Sequence, residues 1–228
     1  MARYGMVIDL HKCVGCGACG ITCKNENNVD RDIFWAHHLK DTTGVFPNVK
    51  YEFVPTLCNH CDDAACVKSC PTKAMHKDDK GLTLHDPKKC IGCKSCMQAC
   101  PYEVISFNYN APHAFWRDLA SVIDKGTASG QETAQEVGAP IPYYNPDRAA
   151  TYEGIRSKGI VEKCTLCDHR LAKGEQPYCV DSCPAGARTV GDFDDSASEV
   201  NKLIAQYCSR QLKPHAGTKP KVFYIRSF

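Results

Sequence analysis

Apolar positions in this 228-residue chain come in short groups rather than long stripes. Met6 to Asp9 and Leu82 to His85 each read as a short strand, and Val104 to Phe107 reads as another. Lys73 to His76, the turn-prone Asp78-Asp79-Lys80-Gly81 and Leu82 to Leu84 predict a hairpin. Two segments carry a helical period instead. His113 to Lys125 places Phe115, Trp116, Leu119, Val122 and Ile123 on one face and stops at Gly126. Ser196 to Tyr207 opens on a Ser-x-x-Glu capping box ending at Glu199 and spaces Val200, Leu203, Ile204 and Tyr207 helically. No stretch approaches the ~18 apolar residues of a membrane span. The start, Met1 to Leu10, has neither a signal-peptide apolar region nor a twin arginine, so the expectation is a chain without an export address or anchor of its own.

What interrupts the apolar groups is cysteine. Sixteen of the seventeen cysteines fall into four tetrads: Cys13, Cys16, Cys19 and Cys23; Cys58, Cys61, Cys66 and Cys70; Cys90, Cys93, Cys96 and Cys100; and Cys164, Cys167, Cys179 and Cys183. Pro71, Pro101 and Pro184 follow the last three. The first and third tetrads read C-x2-C-x2-C-x3-C, the bacterial ferredoxin run for a 4Fe-4S cluster. Three thiolates within seven residues let a tight loop wrap one corner of a cubane, and the fourth sits where the chain turns away.

In two-cluster ferredoxins that fourth cysteine serves the other cluster, so tetrads work in pairs. Tetrads two and three lie close in sequence and form one pair, which leaves one and four for the other. The expected iron sites are a (Cys13, Cys16, Cys19 with Cys183), b (Cys164, Cys167, Cys179 with Cys23), c (Cys58, Cys61, Cys66 with Cys100) and d (Cys90, Cys93, Cys96 with Cys70). The predicted fold is α+β, with tandem or nested bacterial 4Fe-4S ferredoxin-like modules that carry inserted loops and helices. Residues 1–24 and 159–195 make the outer module and 52–110 the inner one. Insertions run over 25–51 and 111–158, the latter rich in Pro, Gly and Ala from Gly126 to Pro146, and 196–228 form a C-terminal helix and tail. The tail's aromatic run, Val222-Phe223-Tyr224-Ile225, is expected as an edge strand or as a dock for another subunit.

Two other uses of cysteine compete and fit less well. Structural zinc takes two C-x2-C pairs separated by a longer stretch, and only the fourth tetrad, with eleven residues between Cys167 and Cys179, resembles that. Disulfide scaffolds belong to short secreted chains, whereas this count is odd. A composition of 43% hydrophobic and 24% charged residues is that of an ordinary folded chain of one large or two small domains. The formal charge of +2 gives no case for nucleic-acid binding. Four clusters at roughly −2 each would take it to about −6.

Single residues carry two readings each. Lys12, Lys89 and Lys163 immediately precede the first cysteine of a tetrad, with His11 and Lys88 a step earlier, and either raise cluster potentials or lie on a solvated rim. His60 tunes its cluster or packs in its loop; His37 and His38 line a partner or quinol site or sit on the surface. Cys208 is expected as a small buried hydrophobe. Trp35 and Trp116 are expected as packing or interface anchors.

Four tetrads in this order, the Cys-Asn-His-Cys-Asp-Asp-Ala-Ala-Cys form of the second and the Cys-Thr-Leu-Cys-Asp-His-Arg opening of the fourth resemble the four-cluster iron–sulfur subunit of the dimethyl sulfoxide reductase family of molybdoenzymes. The resemblance spans essentially the whole chain. It implies a large catalytic partner with a molybdenum bis-pterin cofactor, a quinol-oxidising membrane subunit or cytochrome as donor, and a periplasmic location reached with the exported partner, or else the cytoplasm. Some relatives replace a cysteine of the third tetrad and carry a 3Fe-4S centre; here all four stand, which implies four 4Fe-4S clusters. Cys70 to Asp78 and Val222 to Phe228 look most like the small subunit of respiratory arsenate reductases, with polysulfide, thiosulfate and tetrathionate reductase subunits as alternatives. This implies an electron wire with no catalytic site of its own. An autonomous polyferredoxin is the contrasting reading, disfavoured by the inserts and the aromatic tail. Apolar contacts with partners are expected from Phe34-Trp35, Tyr143-Tyr144 and Phe223-Tyr224.

Overall fold

The computed structural model describes residues 2–30, 32–112, 123, 126–139, 141 and 144–226. Its largest sheet joins the two ends of the chain. β1 (Tyr4–Asp9) runs antiparallel to β8 (Arg188–Asp192) and parallel to β10 (Val222–Ile225), and β9 (Ser209–Arg210) completes the order β8-β1-β10-β9. The period of two splits this sheet's side chains between two cores. Val7 and Ile225 meet Val200 of helix α7 (Glu199–Gln206) on one face. Met6, Ile8, Val222 and Tyr224 line the other face, against Cys19, Cys23, Cys58 and Cys164.

The tail is therefore neither an edge strand nor a docking arm. β10 lies inside the sheet, with Val222, Tyr224 and Ile225 buried and the Tyr224 hydroxyl donating to the Pro55 carbonyl at 2.9 Å. The α7 helix also starts later than its sequence signature suggested. The Asp195 carboxylate accepts from the Ala197 N–H at 2.9 Å and the Asp195 carbonyl from the Ser198 N–H at 3.0 Å, a turn that moves the N-cap to Ser198 and leaves Ser196 outside. The capping box falls elsewhere, at Ser129, the N-cap, and Glu132 of α4 (Gly130–Val137), inside the insertion read as rich in Pro, Gly and Ala. The helix predicted over His113 to Lys125 falls, apart from Ile123, outside the described residues, and so does Trp116.

Three two-stranded pieces surround the main sheet. β4 (Met75–Lys77) and β5 (Thr83–His85) are the expected hairpin, its turn held by the Asp78 carboxylate accepting from the Lys80 and Leu82 N–H groups. β6 (Ser106–Phe107) pairs with β7 (Val161–Glu162). β2 (Ala36–Val45) and β3 (Asn48–Leu57) form a long hairpin through the first insertion. The alternation Val49-Lys50-Tyr51-Glu52-Phe53 is its signal in the sequence. No helix among the described residues is long and apolar enough to cross a membrane.

Ile225 is fully buried between β1 and α7. Ile225→Ala is expected to remove about 2–5 kcal/mol, which lowers the melting midpoint by roughly 5–15 °C in a chain of this size. A thermal melt with an unchanged midpoint would contradict the interior placement of β10.

Candidate metal centres

All four C-x-x-C loops make the same turn. The residue before the second cysteine has a left-handed backbone in each: Gly15 (φ 66°), His60 (44°), Gly92 (70°) and Leu166 (57°). At the glycines the space is closed as well, because a Cβ on Gly15 would lie 2.4 Å from the Phe53 ring and one on Gly92 would lie 2.1 Å from the Gly159 carbonyl oxygen. At the other two the side chain leaves inward. His60 and Leu166 are buried, so the strain of a non-glycine left-handed residue, about 1–3 kcal/mol, is set against packing. His60 is thus a packing residue whose Nδ1 accepts from the Thr83 N–H at 3.2 Å. Burial, then Lys163, Lys221 and Lys77, holds its pKa well below the ordinary histidine value.

The third cysteine is the second residue of a helix in every tetrad: Cys19 in α1 (Ala18–Asn27), Cys66 in α2 (Ala65–Lys68), Cys96 in α3 (Ser95–Ala99) and Cys179 in α6 (Tyr178–Asp181). The fourth lies one turn on and faces a different pocket. Cys13, Cys16, Cys19 and Cys183 line one pocket with His38, Pro55 and Arg188. Cys58, Cys61, Cys66 and Cys100 line a second, and Cys70, Cys90, Cys93 and Cys96 a third. Cys23 and Cys167 share the side-chain amide of Asn27, at 3.6 and 3.8 Å, and both are electrostatic neighbours of Cys179 and Cys164. The structure thus brings together the cysteines expected at sites a, c, d and b in turn. Helix α1 packs on α6, with the Thr22 and Ser182 hydroxyls 2.8 Å apart, and α2 packs on α3.

The donor set is all sulfur, and the cysteines are free. Burial, reinforced by neighbouring thiols, pushes Cys66 up to about 12 and Cys96 and Cys179 up to about 11, and it raises Cys23 and Cys164 well above the ordinary thiol value. Such thiols lose their protons only to a bound metal, and soft sulfur donors select zinc or iron–sulfur centres. Among the described residues no three His, Cys, Asp or Glu side chains converge as a single ion requires. The pockets instead suit a polynuclear group held by sulfur at its corners. N–H donors already face the sulfurs: Met75 to Cys70 at 3.4 Å, Leu166 to Cys164 at 3.3 Å and Ala187 to Cys183 at 3.3 Å. At Cys70 these contacts outweigh burial and lower the pKa; at Cys93 the hydroxyl and N–H of Ser95 do so.

Buried cations lie between the pockets. Arg188 is 4% exposed, its Nη2 donating to the Cys19 Sγ at 3.1 Å and its Nη1 3.9 Å from the Met6 Sδ. Burial opposes its charge, but Cys179 and Cys19 more than compensate and its pKa is raised. Lys163, singled out in the sequence, is buried and donates to the Thr83 and Cys164 carbonyls, whereas Lys12 and Lys89 are exposed. Lys221, also buried, donates to the Gly81 carbonyl, with Asp62 3.6 Å away. Arg188 and Lys221 were missed because one opens β8 and the other immediately precedes β10, both outside every cysteine motif.

These contacts order the sites. Arg188 spans a and b; Cys164 of b neighbours Cys58 of c; Cys66 of c and Cys96 of d share one core cluster. The row is a, b, c, d, with exposed Cys16 at one end and exposed Cys93 at the other. Val14 and Ile21 are exposed beside the first, and Ile91 beside the second. Of the apolar groups expected at the surface, Phe34 is exposed, Trp35 and Tyr224 are buried, and Tyr143 is outside the described residues. Trp35 donates to Glu162 at 3.3 Å, a packing role. His38 lies 4.0 Å from Cys19 and His37 is half-buried, so neither is a plain surface residue. Cys208 is exposed, not buried, because α7 ends at Gln206 and the cysteine falls in the link to β9. The Asp-His-Arg that follows Cys167 opens α5 (Asp168–Ala172) and acts as a clasp. Asp168 pairs with Arg148 at 3.0 Å, His169 with Glu26 of α1 at 2.7 Å, and Arg170 with Asp181 at 2.6 Å.

Residues 49–116 and 114–193 match the family described as a 4Fe-4S dicluster domain. The protein belongs to the iron–sulfur subunits of the dimethyl sulfoxide reductase family of molybdoenzymes and carries four 4Fe-4S clusters. It is 58% identical to the arsenate respiratory reductase iron-sulfur subunit ArrB of Shewanella sp. (strain ANA-3), over 99% of this chain and 97% of the relative. It is 35% identical to a selenate reductase subunit of Mesobacillus selenatarsenatis, over 98% of this chain and 72% of that one. A polysulfide reductase polypeptide of Wolinella succinogenes is 30% identical, over 98% and 94%.

Gly92→Ala forces a Cβ against the Gly159 carbonyl. It is expected to cost about four of sixteen irons per chain, one cluster's worth, by iron and sulfide assay of anaerobic protein. Full retention would show that the loop tolerates a side chain there.

Proposed function

We propose that the chain relays electrons, one at a time, as the iron–sulfur subunit of an arsenate respiratory reductase. The observation that carries this is the end-to-end likeness to the Shewanella subunit, 58% over 99% of the chain. In this reading the holding residues are Cys13, Cys16, Cys19 and Cys183 at site a; Cys23, Cys164, Cys167 and Cys179 at b; Cys58, Cys61, Cys66 and Cys100 at c; and Cys70, Cys90, Cys93 and Cys96 at d. Their convergence on separate pockets supports it. When bound, each cluster supplies a one-electron couple, with potentials of such centres spread over roughly −700 to +450 mV by burial, hydrogen bonding and charge.

The chain's own part is to fix that spread and the path. The buried cysteines of b, with Cys58 and Cys66 at c, keep water from the middle of the row, while exposed Cys16 and Cys93 leave an entry and an exit. The residues that pair α1 with α6 and α2 with α3 support the reading of an inner ferredoxin-like module, 52–110, nested between the two parts of an outer one, 1–24 and 159–195. The chain provides no acid, base or nucleophile for arsenate; that chemistry belongs to the partner's molybdenum bis-pterin cofactor. A quinol-oxidising membrane subunit or a cytochrome feeds the other end. We place the complex in the periplasm, with this protein exported alongside its catalytic partner.

Three measurements test this. Anaerobic protein is expected to hold about sixteen irons and sixteen sulfides per chain; a reproducible twelve contradicts it. Cys100→Ser should perturb the cluster of Cys58, Cys61 and Cys66, not that of Cys90, Cys93 and Cys96; the opposite pattern refutes the crosswise ligands. Co-purification with a larger pterin-bearing subunit and reduced-dye oxidation dependent on arsenate are expected. Turnover of polysulfide or tetrathionate alone would move the protein to another branch, and a stable monomer reducing many acceptors would make it a free polyferredoxin.

A further inference from the structure

Arg188 is a buried guanidinium whose hydrogen-bond partners are sulfur, Cys19 Sγ, Met6 Sδ and the Cys179 thiol, with the Tyr224 hydroxyl as a further electrostatic neighbour. Among the described residues no carboxylate lies within ion-pair distance of it, although Arg3, Arg148, Arg156, Arg170 and Arg226 each have one. An uncompensated buried charge is strongly destabilising. The fold therefore holds a cation whose counter-charge must come from the thiolates, which are ionised only when the sites are filled. Its position is fixed by the backbone, since Arg188 opens β8 in register with Ile8 of β1, on the face that carries the cysteines. A planar fork with five donors reaches sulfurs of two sites at once from fixed directions, where a compact ammonium offers three rotatable donors from one atom.

We propose that Arg188 raises the reduction potentials of the clusters at sites a and b, which it lies between, and so sets where electrons rest along the row. The proposal rests on the ligand sets of those two sites. Each reduction adds one negative charge to a site. A fixed cation in a low-dielectric interior favours the more negative state, so the reduced form gains and the potential rises. Among the described residues that line site d there is no arginine. The cation among the residues lining it is Lys94, half-buried, with its ammonium 4.0 Å from the Phe107 ring and 3.2 Å from the Tyr109 hydroxyl. The effect is thus expected at one end of the row.

The test is a potentiometric titration of the purified complex, followed by electron paramagnetic resonance, with iron counted in each sample. In Arg188→Met, two of the four cluster signals are expected to shift to lower potential, by about tenfold in the reduced-to-oxidised ratio at fixed ambient potential, which is about 59 mV for one electron. The other two signals should stay. Arg188→Lys, which keeps the charge, should shift less than half as far. Fully loaded Arg188→Met with four unmoved signals overturns the proposal while leaving the ligand sets intact. If Arg188→Met loses iron, Arg188→Gln decides, because it keeps an N–H donor without the charge: full loading with unmoved potentials again overturns it. Iron loss in both uncharged variants with full loading of Arg188→Lys supports the charge requirement, and loss in all three overturns it. Iron far below sixteen per chain in the unaltered complex removes the ligand sets and this proposal together.

Discussion

A cysteine on one helical turn and its partner on the next look into different pockets, and the rest of the structure hangs on that divergence. Cys19 and Cys23 do so on α1, and Cys179 on α6 with Cys183 just past its C-terminal end, so two packed helices tie sites a and b to each other. Cys66 and Cys70 with Cys96 and Cys100 repeat the device at c and d. Neither pocket of a pair can close unless both segments have arrived. For sites of this kind, metal affinity and folding free energy are one quantity. The main sheet serves the same end, because β1 leads into the first tetrad, β8 leaves the fourth, and β10 locks them from the far end of the chain.

The interior is arranged for anions that the bare polypeptide does not carry. Arg188, Lys163 and Lys221 are buried with a single nearby carboxylate, Asp62, among their described ion pairs. Peptide N–H groups aim at Cys70, Cys164 and Cys183. In an ordinary core these would be costly errors. Around four centres of roughly −2 each they become balance, and their uneven placement gives the row a gradient that cysteines alone cannot supply.

The surface divides in a similar way. The end sites come within reach of the outside at Cys16 and Cys93, bordered by Val14, Ile21 and Ile91. The β2–β3 hairpin starts over site a, where Phe53 fills the space beside Gly15, and ends in Val45 and Phe46, 82 and 87% exposed. Apolar groups of that size at the tip of a projecting hairpin suit contact with another protein better than contact with water.

What the sequence determined alone is what local covalent geometry dictates. Two residues between cysteines and three more before the fourth are short-range facts. They identified the chemistry, the number of sites and the β4–β5 hairpin. The tertiary structure decided what depends on segments meeting. The Val222 to Ile225 run is equally apolar as an edge or an interior strand, and only its parallel pairing with β1, across more than 200 residues, chose the interior. Two Ser-x-x-Glu signatures were present; Asp195 spoiled one by making its own turn, and the one at Ser129 formed. Arg188 carries no motif because a buried cation is defined by what surrounds it. The order of the four sites is a matter of which cores they share, and spacing along a chain does not encode that.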